Sequence, residues 1–92
     1  MNGMPVGWFE QNSIASKLFP NPVTEYLNIE YEEPQSGELS LYNQSGQLVL
    51  MKKITGQKQV YINLSPFPAG LYLYRLKNTS GEIVNSAKVL NR

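Results

Sequence analysis

The chain contains no cysteine, no histidine and no aspartate among its 92 residues. Without Cys or His there can be no Ser-His-Asp or Cys-His nucleophile pair, no nitrogen- or sulfur-ligated zinc, no haem thioether and no disulfide. All seven acidic residues are Glu, which removes Asp-rich calcium loops and the usual magnesium-binding aspartate. The inventory predicts a protein with no enzymatic activity, no cofactor and no metal site. Charge of one sign is missing as well: eight Lys and Arg against seven Glu leave a net charge of +1. A nucleic-acid partner needs clustered excess cations, so none is expected. Long apolar runs are also absent, since Leu48–Met51 and Leu71–Tyr74 are the longest at four residues each. A membrane span needs roughly 20. Nor does the chain open with a charged and then apolar export signal. Lack of cysteine fits a reducing cytosol and a disulfide-free exported domain equally.

What is present suffices for one small domain. Apolar residues make up 41% of the chain, ten of them aromatic, although a chain this short buries only about 60 to 65% of its unfolded surface. Residues 1–16, MNGMPVGWFEQNSIAS, mix Gly, Pro, Asn and Ser without a period and read as a linker remnant of a preceding region. From Leu18 onward, short alternating runs are punctuated by turn residues at intervals of about ten, the habit of an antiparallel β-sandwich. The run 26–32 places Leu27, Ile29 and Tyr31 on one face and Asn28, Glu30 and Glu32 on the other. A turn is expected at Glu33-Pro34-Gln35-Ser36-Gly37, followed by a strand over 38–43 with Leu39 and Leu41 inward. Asn43-Gln44-Ser45-Gly46 then predicts a type I turn with a Gly bulge before a strand over 47–53, and Asn78-Thr79-Ser80-Gly81 repeats it between 71–77 and 82–90. Between these hairpins, 58–64 carries Val60, Ile62 and Leu64 on one face. The segment 71–76, LYLYRL, is apolar on both faces apart from Arg75. It is either a central strand covered on both sides or a surface that meets a partner. The expected core is Leu27, Ile29, Leu39, Leu41, Val60, Ile62, Leu64 and Tyr72, in an immunoglobulin-like sandwich of about seven strands.

Pro20-Asn21-Pro22 is the most unusual local feature, because two fixed φ angles and two missing N–H groups make a rigid corner. Ser65-Pro66-Phe67-Pro68-Ala69-Gly70 makes a similar connection, Gly70 supplying a permissive φ. Such corners serve strand crossings or recognition by a partner. Asn43, Asn63 and Asn78 head N-x-S/T triplets, yet two of them stand in turns that need Asn for backbone reasons. Trp8, Tyr42 and Tyr61 have the rings to stack on sugars but lack an accompanying polar cluster. Glu30, Glu32 and Glu33 read as solvating charge on an exposed face.

The order of these fragments carries more than any one of them. Leu18-Phe19-Pro20-Asn21-Pro22, Leu27-x-Ile29, Leu41-Tyr42-Asn43-x-x-Gly46-Gln47-x-Val49, Ile62-x-Leu64, Ala69-Gly70-Leu71-Tyr72 and Ser86-x-Lys88-Val89-Leu90 follow one another over residues 14–92. In that order they closely resemble the C-terminal sorting domain of the type IX (Por) secretion system. The resemblance implies a cargo tag at the end of a larger exported protein, with the cargo domain preceding it and 17–92 forming the tag. It implies passage through the periplasm to the cell surface or beyond. Its partners would be the outer-membrane translocon and a sortase-like cysteine peptidase that cuts N-terminal to the tag and anchors or releases the cargo. Carried over by position, Pro20, Asn21 and Pro22 match the family's corner, Gly46 its hairpin glycine, Gly70 and Tyr72 its G-x-Y motif, and Lys88, Val89 and Leu90 its terminal motif, with Arg92 as the terminal charge. Where the family often ends in several lysines this chain ends in Asn91-Arg92, and Phe19 stands where Tyr is frequent. The last residues are expected to matter more for export than for folding, with Val89 and Leu90 offering an unpaired edge for strand addition to a receptor. Homodimerisation through edge strands or the N-terminal arm stays open. The alternatives are a carbohydrate-binding or adhesive β-sandwich appended to a secreted enzyme, and a structural spacer of fibronectin type.

Overall fold

The computed structural model describes residues 14–92, so most of the stretch 1–16 expected to be a linker, Trp8 included, lies outside the described part, while Ser16 already belongs to the first strand. The elements are β1 (Ser16–Phe19), β2 (Tyr26–Tyr42), β3 (Leu48–Asn63), β4 (Gly70–Asn78) and β5 (Ile83–Asn91). All strand pairs are antiparallel. Among the described residues no helix is long and apolar enough to cross a membrane.

Five strands replace the seven expected, because neither 33–37 nor 54–57 is a turn. β2 and β3 run on through both stretches as bulged, bent strands, with register shifts between Glu30, Gln35 and Gly37. A bulge leaves one strand's extra residues unpaired, which gives Pro34, lacking an N–H, a place inside a strand. The bend is pinned where the Gly56 N–H donates to Ser36 Oγ at 2.8 Å, and Gly56 there adopts φ 59°. Side-chain alternation survives it: Leu27, Ile29 and Tyr31 are buried before the bend of β2, and Leu39 and Leu41 after it. Each long strand therefore serves both layers. The first half of β2 pairs with β1 and with the second half of β3, whereas its second half pairs with β4 and the first half of β3. β5 completes the layer beyond β4.

The two hairpins follow the expected chemistry. Asn43 Oδ1 accepts from the N–H groups of Ser45 and Gln47, and Asn78 Oδ1 accepts from those of Ser80 and Glu82. Gly46 (φ 83°) and Gly81 (φ 86°) close these turns in the left-handed region. Asn63, the third triplet asparagine, likewise binds Ser65 N and Oγ. Their amides serve the backbone.

All eight expected core residues are buried, joined by Val23, Tyr31, Ile54, Tyr74, Leu76, Val84 and Val89. Across the layers, the Tyr31 and Tyr74 hydroxyls meet at 2.5 Å. Burial pushes the Tyr31 hydroxyl up to about 12, with the Tyr74 hydrogen bond working the other way. Burial and then the neighbouring Tyr31 push Tyr74 up as well. β4 is central, but only its Tyr72, Tyr74 and Leu76 face is covered; Leu71 on the other face is 37% exposed.

Candidate functional site

The corner that follows β1 and the last residues of β5 meet at one end of the sandwich. β1 leads into Pro20-Asn21-Pro22, whose two X-Pro bonds are both cis and whose three residues are exposed. The corner turns the chain so that Val23 lies parallel to the last residues of β5, opposite Asn91. Val23 N–H donates to Leu90 O at 2.7 Å, Arg92 N–H donates to Val23 O at 2.8 Å, and Leu90 N–H donates to Asn21 Oδ1 at 3.1 Å. The proline corner and the terminal motif, 69 residues apart in sequence, thus form one hydrogen-bonded unit.

The loop 65–70 is tied into the same unit from below. Asn91 is 3% exposed, and its Nδ2 donates to the carbonyls of Leu64, Phe67 and Pro68 at 3.3, 3.2 and 3.2 Å. Tyr72 Oη donates to Pro68 O at 2.6 Å, and its ring packs at an angle against Phe67, 6.3 Å between centroids. Tyr72 of the G-x-Y motif therefore anchors the loop from inside, and Gly70 stands opposite Asn91 in the ladder.

Two expectations change here. Val89 is fully buried and Asn91 nearly so, so alternate terminal residues are packed into the core, where a peripheral last turn would leave them exposed. The backbone edge at Leu90 is also occupied, since its N–H and C=O are taken by Asn21 and Val23. Strand addition there would first have to displace the corner. What reaches solvent are the side chains of Pro20, Asn21, Pro22, Lys88, Leu90 and Arg92. Leu90 is 42% exposed because it points outward from the sheet, opposite Leu71.

Gly46 stands apart from this unit, in the hairpin that walls a neighbouring groove of about 500 Å³ also lined by Tyr72 and Lys88. Of the ten motif positions, Tyr72 and Val89 are interior supports and the other eight lie at or near the surface. Sequence reasoning passed over Val23 and Asn91, the two residues that join the corner, the loop and the terminus. The inward series Asn85, Ala87, Val89, Asn91 could have revealed the second, as a polar residue in a core register. Tyr42 and Tyr61 lie apart, because Tyr61 lies in the half of β3 that pairs near Asn28, whereas Tyr42 lies in the other half of β2 beneath Arg75, and it is the exposed Phe19 that flanks Asn28 opposite Tyr61. Among the described residues no cluster of three Glu could hold a metal ion.

No curated protein matches the chain. A crystal structure of a DUF3244 family protein with an immunoglobulin-like β-sandwich fold, from Bacteroides vulgatus, superposes with a TM-score of 0.66 at 13% identity, covering 90% of this chain and 99% of that one. That likeness shows an immunoglobulin-like fold. The profile of the secretion system C-terminal sorting domain matches residues 17–90, which takes in the proline corner, both hairpins, the G-x-Y motif and the terminal strand up to Leu90. On that match, the chain belongs to the family of type IX (Por) secretion system C-terminal sorting domains.

Proposed function

We propose that this chain is a folded export address, read by the outer-membrane translocon of the type IX system through the composite surface of the Pro20-Asn21-Pro22 corner and the Lys88, Leu90 and Arg92 side chains. The observation that carries the reading is the Asn21–Leu90 hydrogen bond with the Val23 ladder beside it, which makes one surface from two distant motifs. An address built in this way exists only when the domain is folded, which lets a translocon accept folded cargo and reject unfolded chains. A cargo domain in the same parent chain precedes it and passes through the periplasm with it. A sortase-like cysteine peptidase cuts in the linker-like stretch ahead of β1, leaving the cargo anchored at the surface or released. The domain itself is the substrate in that step and performs no chemistry.

The test fuses the full chain behind a periplasmic fluorescent protein in a host with this secretion system. The unmodified fusion is expected at the surface or in the medium. Leu90→Ser changes an outward, 42% exposed side chain and should cost roughly 1 to 1.5 kcal/mol, too little to unfold the domain, yet trap the fusion in the periplasm. Export of Leu90→Ser and of Pro20→Ala together at the unmodified rate would refute the composite surface.

A further inference from the structure

The outward face of β4 is a feature that the sorting unit leaves unexplained. A strand hydrogen-bonded on both sides would ordinarily be covered on both faces when its residues are this apolar. Here Leu71, Leu73 and Arg75 form an outward row on β4, with Tyr42 opposite Leu73 on one side and Lys88 opposite it on the other. The groove of about 500 Å³ lies over this row, closed at one end by the Asn43–Gly46 hairpin.

Two properties of the groove identify what fits it. The first is charge. Its charged lining residues are Arg75 and Lys88, and among the described residues no carboxylate lines it. The next outward row continues the imbalance, with Glu38 between Lys53 and Lys77, whereas Glu30, Glu32 and Glu33 lie in the other half of β2 or at its bend. The Arg75 guanidinium is stacked on the Tyr42 ring, 5.4 Å from its centroid, which holds a planar set of donors in place. The second property is spacing. Alternate residues of one strand stand about 6.6 Å apart, so Leu71, Leu73 and Arg75 offer apolar, apolar and cationic contacts at the repeat of an extended peptide's own alternate side chains.

We propose that this groove docks an extended acidic peptide segment of the export machinery, its apolar side chains on Leu71 and Leu73 and its carboxylate on Arg75, with Lys88 alongside. The proposal rests on the sorting reading and adds to it the chemistry of the partner. Binding by charge-assisted hydrogen bonds over an apolar floor is strong enough to select and weak enough to release.

The test titrates the isotope-labelled full chain with a capped pentapeptide of leucine, serine, leucine, serine and glutamate, and with its counterpart carrying lysine for glutamate. Amide shifts are expected at Tyr42–Gly46, Leu71–Arg75 and Lys88, with the lysine peptide about tenfold weaker. Arg75→Gln, which keeps most of the side chain over Tyr42, should weaken the acidic peptide by about tenfold as well. Equal binding of the two peptides, or shifts that map elsewhere, would overturn the proposal. So would a response to anionic phosphatidylglycerol vesicles with none to the peptide, which would identify a lipid surface instead. In the reporter host, export of Arg75→Glu at the unmodified rate counts against the groove while leaving the sorting role intact. Retention of the unmodified fusion counts against the sorting role, and the peptide titration then decides the groove alone.

Discussion

Replacing Gly37 by alanine should cost this domain a large part of its stability, for a reason specific to the bend in β2. Gly37 has φ 152° and is hydrogen-bonded between β3 and β4, opposite Ile54 on one side and Asn78 on the other. A Cβ at this position would stand 1.9 Å from the Lys77 carbonyl oxygen, 2.9 Å from the carbonyl carbon and 3.0 Å from Asn78 Cα. These are backbone atoms in a central strand, so no rotamer change can relieve the contact. An ordinary carbon–oxygen contact is about 3.3 Å, so β2 and β4 must separate locally by roughly 1.4 Å. Backbone strain in a glycine-only region costs about 1–3 kcal/mol, and losing two ladder hydrogen bonds adds about 1 kcal/mol each. The expected loss is therefore roughly 3–5 kcal/mol, against a total of about 5–10 kcal/mol for a chain of this length. Urea unfolding followed by tryptophan and tyrosine fluorescence measures it: with an m-value of about 2 kcal/mol/M the midpoint should fall by roughly 2 M. Gly46→Ala is the control, because Gly46 shares a positive φ, 83°, but an alanine methyl there would meet nothing within 4 Å. It should lose only about 1–2 kcal/mol. A Gly37→Ala midpoint within about 0.5 M of the parent would refute both the close approach and the continuous path of β2 through this point.

Further outcomes concern the core pair and the terminal unit. The Tyr31 hydroxyl is raised above the ordinary tyrosine value, so the folded state holds a proton that the unfolded chain releases above pH 10. Stability should be unaffected by this pair below pH 10 and fall by about 1.4 kcal/mol per pH unit per tyrosine between pH 10 and 12. The double variant Tyr31→Phe and Tyr74→Phe should flatten that slope, and an unchanged slope would mean that other groups carry it. Val89→Ala should lose roughly 1.5–3 kcal/mol in a chemical melt because the side chain is fully buried, and a loss under about 0.5 kcal/mol would return β5 to the periphery. Asn21→Ala should speed hydrogen exchange at the Leu90 amide while leaving Arg92, which donates to Val23 O, protected. Equal rates at Leu90 in parent and variant would dissolve the link between corner and terminus.

How much of this was legible in the residues depends on how local each cause is. Period-2 alternation named eight core residues correctly, because burial on one face of a strand is written in every second side chain. The N-x-S-G hairpins were equally legible, since an Asx turn and a positive-φ glycine use atoms within four residues of each other. Pro34 and Gly37 were misread as a turn for the same local reason. Proline and glycine do mark breaks, but a bulge absorbs both without ending the strand, and only the pairing of β2 with β3 and β4 shows that it does so here. The ordered motifs sufficed to point to the sorting family, while the function of each motif residue waited for tertiary contacts. Nothing in Asn21 or Leu90 alone says that one accepts from the other across 69 residues, or that Val89 faces the core while Leu90 faces solvent beside Leu71. The sequence by itself determined the strand faces, the turn chemistry and the lack of His, Cys and Asp side chains, all of which depend on residue type and short spacing. Only the tertiary structure decided that two bent strands serve both layers, that the terminus is locked by the proline corner, and that Leu71, Leu73 and Arg75 line an outward groove on β4, because each depends on which distant backbone groups find one another.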